Sequence, residues 1–215
     1  MLGAAKIIIF AAHFFVMKIE NVIFDFGGVL VDWNPRYLYK EYFDNKDDME
    51  FFLHNICTDE WNLEQDRGRS LSDGTRILQE KHPEYFDQIG LYYGKWEKML
   101  RGDFPGTVNL LYRLKEKYKL YGLSNWSAET FKIAYSRFPF FKLFDGIVLS
   151  GEEHLVKPDL RIYRVLFNRY GVKAEHSLYI DDNISNVTAA EALGMYVIHY
   201  KNSQQLEDML NFHSV

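Results

Sequence analysis

Apolar runs and helical periodicity alternate along most of the chain. Short, almost wholly apolar runs bounded by turn residues are typical of buried strands, and apolar residues three or four apart are typical of helices. The pattern predicts strands at 19–24, 119–123, 146–149, 177–180 and 196–199, and helices at 108–117, 128–136, 159–170, 184–193 and 204–210. Because strands that alternate with helices of about 10 to 15 residues form parallel sheets, we expect an α/β fold with a doubly wound, parallel, five-stranded Rossmann-like sheet.

A different pattern occupies residues 34–104. Apolar and aromatic residues recur there with helical spacing, for example at Tyr92, Trp96 and Leu100, and this spacing predicts helices. We therefore expect a helical-bundle insertion, or cap, at 34–104, inserted into an α/β core formed by 17–33 and 105–215.

Residues 1–16 precede the first predicted strand and include the apolar run 7–12 (IIIFAA). A membrane-spanning helix needs about 20 apolar residues, so this run is too short to cross a bilayer comfortably. Met17 opens the segment that contains the first strand. We therefore interpret residues 1–16 as an extension upstream of the native translation start, with a membrane-tethering or secretory segment as the alternative.

The charge and the cysteine content limit the kinds of binding partner and cellular compartment that we expect for this 215-residue chain. The net charge of −5 and the pI of about 5.8 argue against nucleic acid, whose phosphates are met by clustered Lys and Arg. A small anionic ligand stays compatible with them, because a metal ion, one lysine and backbone N–H groups can balance its charge locally. The single cysteine, Cys57, excludes an internal disulfide and fits a reducing compartment, so we expect a cytoplasmic protein without stable membrane association.

Polar side chains follow four of the predicted strands. Asp25 follows the first strand, Ser124 and Asn125 the second, Lys157 comes shortly after the third, and Asp181 and Asp182 follow the fourth. In open parallel sheets, ligands bind beyond the carboxyl ends of the strands, where the strand order reverses. The sequence therefore predicts a ligand site at which carboxylates, a hydroxyl and a lysine converge.

Four ordered motifs carry a resemblance to a known superfamily. They are residues 24–30 (FDFGGVL), 123–125 (LSN), 157–158 (KP), and 180–183 (IDDN) with 189–194 (AAEALG). A single one of them would be weak evidence, but the ordered set is specific. In these motifs, over about residues 19 to 200, the chain resembles the haloacid dehalogenase superfamily.

The resemblance implies roles for the site residues. It makes Asp25 the nucleophile, which forms an aspartyl-phosphate that water then hydrolyses. Ser124, helped by Asn125, would bind a phosphate oxygen, and Lys157 would neutralise both the phosphate and Asp25. Taken alone, each residue has a simpler interpretation: Asp25 and Ser124 could belong to turns, and Lys157 could lie on the surface.

The same resemblance implies a magnesium site. Asp25, the backbone carbonyl of Gly27 and Asp182 would be ligands, with Asp181 bound directly or through water. Hard oxygen ligands of this kind suit Mg²⁺, which keeps several waters. The structural alternative is that the acidic pair Asp181 and Asp182 only caps the helix that begins at Ile184, where Asn183 could also serve as the cap.

Gly27 departs from the superfamily's usual pattern. Most phosphatases that the chain resembles carry an aspartate there, which protonates the leaving alcohol and later activates water, and glycine cannot do so. Such help is worth about 10²- to 10⁴-fold in rate. Activity could be confined to good leaving groups such as a sugar 1-phosphate, the cap could supply Glu64, Asp66 or His54 instead, or the chain could be a dehalogenase, whose halide needs no proton.

The segment 61–68 (WNLEQDRG) reads as a polar loop between helices. We expect it to face the substrate, with Glu64 and Arg67 as binding residues, and a plain connecting loop is the alternative. Hinges near 32–35 and 102–106 would let the cap close over the site and exclude water.

The favoured function is a Mg²⁺-dependent phosphatase that acts on a small phosphorylated metabolite, with a sugar phosphate as the expected substrate. A haloacid dehalogenase is the first alternative, although the paired acids Asp181 and Asp182 argue against it, because the superfamily's dehalogenases work without a metal. A non-catalytic module that binds a phosphorylated ligand is the second alternative.

Overall fold

A computed structural model describes residues 19–212 and residue 215. The predicted extension at 1–16 lies outside the described residues. Within the described part, no helix combines the length and the apolar character that crossing a membrane requires.

A parallel five-stranded sheet forms the centre of the molecule. Its strands have the spatial order β5-β4-β1-β6-β7, and their bounds are β1 Asn21–Phe24, β4 Lys119–Ser124, β5 Gly146–Leu149, β6 Ser177–Asp181 and β7 Tyr196–His199. The chain runs from β1 to one side of the sheet and then returns to the other side. This order places a topological switch point beside β1, and it confirms the predicted fold class.

Burial explains why β1 reads as a continuous apolar run. Val22 and Phe24 belong to one hydrophobic cluster, and Ile23 belongs to the other. Because successive side chains of a strand point to opposite faces, both faces of the sheet are covered at 22–24. The polar residue at the start of the strand, Asn21, is also buried, and its amide donates a hydrogen bond to Ser177 Oγ at 3.3 Å. Such runs are typical of parallel sheets with helices on both sides.

The core helices lie close to their predicted positions, except for one short helix at 150–153 that was not predicted. They are α6 Pro105–Lys115, α7 Ala128–Arg137, α8 Ser150–Glu153, α9 Leu160–Tyr170, α10 Ile184–Ala192 and α11 Ser203–Phe212. Asn183 caps α10, because its side chain accepts a hydrogen bond from the Ser185 backbone N–H. Gly194, just past the end of α10, has a φ of +89°, the left-handed conformation that glycine adopts most easily.

Five helices lie between two short strands that the sequence pattern did not reveal. The strands β2 Val31–Trp33 and β3 Leu100–Asp103 pair antiparallel, and the helices between them are α1 Arg36–Tyr39, α2 Lys46–Asn55, α3 Asp59–Asp66, α4 Leu71–Lys81 and α5 Phe86–Gly94. We call residues 36–99 the helical insertion. The expected hinges at 32–35 and 102–106 therefore overlap the antiparallel pair of strands β2 and β3. The domain boundaries stay a prediction.

Residues expected to form a loop at 61–68 are largely helical instead. Thr58 caps α3 by accepting a hydrogen bond from the Trp61 N–H, and the acidic residues Asp59 and Glu60 occupy its first turn, where they favour a helix start. Trp61 and Gln65, one helical turn apart, are buried. Asp59, Glu60 and Glu64 are exposed, and the high polar content of α3 explains why the sequence pattern indicated a loop.

Candidate active site

The predicted convergence of strand ends is present in the structure. Asp25 follows β1, Ser124 ends β4, and Asp181 ends β6. Ser124 Oγ donates a hydrogen bond to Asp25 Oδ1 at 2.8 Å, and Lys157 Nζ lies 3.0 Å from the same oxygen. Four segments that are far apart in sequence therefore meet at one edge of the sheet.

Asp25 is a buried carboxyl group. It is 9% exposed, and its backbone N–H donates to the Ile180 carbonyl at 2.9 Å. Burial raises the pKa of Asp25 to about 6, the Lys157 ammonium opposes that rise, and the nearby Asp181 and Asp182 add to it. The side chain therefore carries a costly negative charge at neutral pH, which a cation would stabilise.

Lys157 is enclosed by three acceptors. Its Nζ donates to the Leu123 carbonyl at 2.8 Å and to Asp181 Oδ2 at 2.7 Å, in addition to its contact with Asp25. Burial alone would lower the pKa of Lys157, but the charges of Asp25 and Asp181 outweigh it and raise the pKa above its ordinary value. Lys157 is therefore a fixed positive charge between two carboxylates.

Asn125 holds the segment that carries Lys157. Its Oδ1 accepts from the Lys157 backbone N–H at 2.7 Å, and its Nδ2 donates to the Lys157 carbonyl at 3.1 Å. Asn125 was predicted to help bind a phosphate oxygen. In this structure its amide is engaged with the backbone, so it positions Lys157, and its role toward substrate stays a prediction.

Asp181 is fully buried and surrounded by donors that the sequence did not single out. Tyr179 and Asn186 donate to its carboxylate, as does the Asn183 backbone N–H, and the Lys157 ammonium completes the set. Because a direct metal ligand would give up some of these bonds, the geometry favours a contact through water. Tyr179 lies two residues before Asp181 on the same side of β6, and this spacing is the sequence signal that was missed.

Asp182 lies at the exposed rim, packed against the loop after β1. Burial raises the pKa of Asp182, and the charge of Asp181 adds to the rise. Gly28 has a φ of +74°, and a Cβ there would lie 2.2 Å from Asp182 Oδ2. A glycine is therefore required for the Asp182 carboxylate to approach this backbone.

The three carboxylates fit a divalent cation. Asp25, Asp181 and Asp182 each offer an oxygen within 4.8 Å of the others, and one ammonium, that of Lys157, faces them. Three carboxylates against the Lys157 ammonium leave excess negative charge. Burial is the main cause that raises the pKa values of Asp25 and Asp182, and the neighbouring carboxylates add to both rises. Hard oxygens in this number suit Mg²⁺ with retained waters, in agreement with the predicted cofactor.

We expect Gly28→Ala to weaken Mg²⁺ binding by at least about tenfold, because its Cβ would displace Asp182 and would hold a left-handed φ that costs about 1 to 2 kcal/mol. Isothermal titration with Mg²⁺ measures the affinity. Gly94→Ala is the matched control, because a Cβ there meets nothing within 4 Å. Unchanged Mg²⁺ affinity in Gly28→Ala would contradict this account of Asp182.

A cavity lies between the loop after β1 and the helical insertion. The core and the insertion both contribute to its walls, which are lined by Gly27, Trp33, Asn62, Asp66, Tyr93, Trp96, Asn125, Trp126 and Thr130. Aromatic side chains make up much of this set, and Trp96 and Trp126 contact each other at 5.9 Å between ring centroids. A Cβ on Gly27 would meet nothing within 4 Å, so the space beside Gly27 is open.

The other predicted residues of the insertion lie elsewhere. Glu64 and Arg67 form a surface ion pair with each other at 3.3 Å, and neither lines this cavity. His54 is exposed and contacts the Glu50 carbonyl at 2.7 Å. Among the three residues considered as replacement acids, Asp66 is the one that lines the cavity, while the binding roles of Glu64 and Arg67 stay predictions.

Comparison with known proteins places these observations in a family context. The family model described as haloacid dehalogenase-like hydrolase matches residues 22–200. The sesquiterpene phosphatase astK of Aspergillus oryzae is 30% identical over 192 residues, which are 86% of this chain and 91% of that protein.

Two solved structures share the fold. The enzyme bt-2542 of Bacteroides thetaiotaomicron, in complex with magnesium and inorganic phosphate, matches with a TM-score of 0.66 at 24% identity, covering 86% of this chain and 95% of that chain. The L-2-haloacid dehalogenase PA0810 matches with a TM-score of 0.58 at 20% identity, covering 83% of each chain. Because a magnesium and phosphate complex and a dehalogenase share this fold, the fold alone does not choose between the two chemistries.

Proposed function

The chain belongs to the haloacid dehalogenase-like hydrolase family, and we propose that it is a Mg²⁺-dependent phosphatase that works through an aspartyl-phosphate on Asp25. The contact of the Asp25 carboxylate with Lys157 and Ser124, beside two further carboxylates, carries this proposal. The relatives named as a sesquiterpene phosphatase and as a magnesium and phosphate complex support it.

Each residue has a part in the proposed reaction. Two donors hold Asp25 Oδ1, so the carboxylate has a fixed orientation toward an incoming phosphorus atom. Attack forms the Asp25–phosphorus bond and breaks the bond from phosphorus to the alcohol oxygen. Lys157 balances the charge of Asp25 before attack, and it is positioned to balance the phosphoryl oxygens afterwards.

Asp25, Asp182 and the Gly27 carbonyl would hold Mg²⁺, with Asp181 acting through water. When bound, Mg²⁺ supplies positive charge to the phosphoryl oxygens in the transition state. In the dehalogenase alternative no phosphoryl charge has to be balanced, so the three gathered carboxylates would have no purpose. This argument favours the phosphatase.

The cavity favours an apolar alcohol as the leaving group. Three tryptophans and a tyrosine contribute to its walls, and sugar hydroxyls buried among them would lose hydrogen bonds to water. The 30% identity to a sesquiterpene phosphatase supports the same choice. We therefore propose a prenyl or terpenoid monophosphate as the substrate class, in place of the sugar phosphate that the sequence suggested.

A substrate panel tests the proposed function. Phosphate release from farnesyl monophosphate, glucose 1-phosphate and p-nitrophenyl phosphate is measured in Mg²⁺ and in EDTA, together with chloride release from 2-chloropropionate. We expect Mg²⁺-dependent phosphate release, with kcat/KM for the farnesyl ester at least about tenfold above that for the sugar ester, or about 1.4 kcal/mol in transition-state binding.

Three outcomes would contradict parts of this proposal. A preference for glucose 1-phosphate would restore the sugar-phosphate hypothesis and overturn the apolar substrate class. Chloride release that persists in EDTA would identify a dehalogenase. Mg²⁺-linked thermal stabilisation without turnover of any compound would identify a binding module.

A further inference from the structure

Gly27 leaves the proposed phosphatase without a proton donor at the usual place. A saturated alkoxide is a poor leaving group, because it is a strong base, so efficient hydrolysis of its ester needs a proton at the leaving oxygen. The structure leaves open space where a side chain at Gly27 would stand. The space is therefore open to a proton donor from another element that lines the same cavity.

Asp66, the last residue of α3, is the described carboxyl group that lines this cavity together with Gly27. We propose that Asp66 is the general acid and base of this enzyme, delivered by the helical insertion in place of the missing carboxyl group at position 27. This inference rests on the proposed phosphatase function.

Hydrogen bonds from both sides of the cavity hold Asp66. The Ser127 backbone N–H donates to Asp66 Oδ1 at 2.9 Å, and Asn62 Nδ2 donates to Oδ2 at 2.9 Å. The Asp66 backbone carbonyl accepts a hydrogen bond from Ser150 Oγ. The carboxyl group is therefore fixed by the core as well as by the insertion, as a proton donor needs to be.

A second set of contacts orients Asn62. Tyr93 donates to Asn62 Oδ1 at 2.8 Å, and Gln65 Nε2 donates to the Tyr93 hydroxyl at 3.2 Å. With its oxygen engaged by Tyr93, the Asn62 amide presents its N–H₂ group to Asp66. The chain Gln65, Tyr93, Asn62 and Asp66 is thus a connected polar network, which a surface carboxylate would not require.

The protonation state of Asp66 suits this role. Burial raises the pKa of Asp66 to about 7, the bonds from Ser127 and Asn62 oppose the rise, and the charge of Asp25 adds to it. The titratable groups that face Asp66 are Asp25, Tyr92 and Tyr93, and the pKa values of both tyrosines are raised, so the tyrosines stay neutral. Asp66 therefore populates both of its forms near neutral pH.

Protons balance in this scheme. In the first step, Asp25 attacks phosphorus, the bond from phosphorus to the alcohol oxygen breaks, and the Asp66 carboxyl proton goes to that oxygen. In the second step, the water oxygen bonds to phosphorus, the bond from phosphorus to the Asp25 carboxylate oxygen breaks, and the Asp66 carboxylate takes a proton from that water. Phosphate leaves, and both carboxyl groups return to their starting states.

Asp66→Asn tests the inference through a ratio of two substrates. Octyl phosphate needs a protonated leaving group, whereas p-nitrophenyl phosphate releases a weakly basic phenolate that does not. Because kcat/KM covers the steps up to formation of the aspartyl-phosphate, we expect it to fall about 10²- to 10⁴-fold for octyl phosphate and less than about tenfold for p-nitrophenyl phosphate. In the wild type, kcat/KM for octyl phosphate should fall as the pH rises above about 7, because Asp66 loses its proton. This fall should be absent in Asp66→Asn.

The ratio of kcat/KM for octyl phosphate to kcat/KM for p-nitrophenyl phosphate distinguishes a chemical role of Asp66 from a structural one. Both rates scale with the folded fraction, so the ratio is unaffected if Asp66→Asn folds less completely. Asp59→Asn, the same chemical change at an exposed position of α3, should leave the ratio unchanged, even though it removes a charge from the first turn of the helix. Equal losses for both substrates would overturn the role of Asp66, whereas a wild-type enzyme without activity on either ester would overturn the phosphatase proposal itself.

Discussion

Asp25→Asn should lower phosphatase turnover by at least about 10⁴-fold, because an amide does not form the acyl phosphate on which both steps depend. The fold should survive. Asn keeps an oxygen at the position that Ser124 and Lys157 contact, and Lys157 retains Asp181 as its ionic partner. Phosphate release in Mg²⁺ and circular dichroism provide the two measurements.

The stability of Asp25→Asn should also depend on pH in a defined direction. The folded-state pKa of Asp25, about 6, lies above its ordinary value, so without a metal the wild type loses stability as the pH rises from about 4 to about 6 through ionisation of this group. The variant has no such charge. In EDTA its unfolding free energy relative to wild type should therefore increase over this range.

The control for this variant is Asp208→Asn, at an exposed position on α11, which should change neither turnover nor stability. Substantial turnover by Asp25→Asn would refute Asp25 as the nucleophile. A variant that loses both its activity and its circular dichroism signal would instead assign Asp25 a structural role.

Lys157→Met should lower the unfolding free energy by about 3 to 5 kcal/mol, because it leaves two buried carboxylates without their cation. Lys157 is 3% exposed, and its ammonium lies within 3.0 Å of both Asp25 and Asp181. Activity should be lost as well, since the Lys157 ammonium is the positive charge in contact with Asp25. Urea denaturation in EDTA at pH 8 measures the stability.

Two further variants test whether the lost stability comes from the ionic contacts of Lys157. The double variant Asp25→Asn with Lys157→Met removes one of the two orphaned carboxylates, so it should recover part of the lost stability. Lys115→Met breaks a half-exposed ion pair with Asp145 and should cost less than about 1 kcal/mol. If Lys157→Met costs no more than Lys115→Met, the ionic account of the Lys157 site is wrong.

The sequence predicted the parallel sheet because its strands are buried on both faces. Runs such as 22–24 contain no polar residue that would obscure the pattern, and polar residues follow directly where such a strand ends. The β2–β3 ribbon was missed for the opposite reason. Its strands have three and four residues, and they mix Asp32 and Arg101 with apolar side chains, so neither strand shows a readable period.

The sequence predicted most of the residues that meet at the candidate site, but not the contacts that they make. Asp25, Lys157, Asp181 and Asp182 follow strands, and strand ends converge in any parallel sheet, so their meeting follows from the fold class. Asp66 is different, because the Ser127 N–H that fixes it lies 61 positions away in sequence. No local pattern distinguishes Asp66 from Glu64, and only tertiary packing separates the cavity residue from the surface one.

The bond between the Asp66 carboxylate and the Ser127 N–H joins an inserted helix to the start of a core helix. If the helical insertion moves away from the core, Asp66 moves with it, whereas Asp25 stays at the end of β1. If the alcohol chain of an ester is too long for the helical insertion to close over it, its phosphate would therefore bind beside Asp25 without Asp66 in place. Chain length would then limit bond cleavage itself as well as binding, and long esters would act as inhibitors.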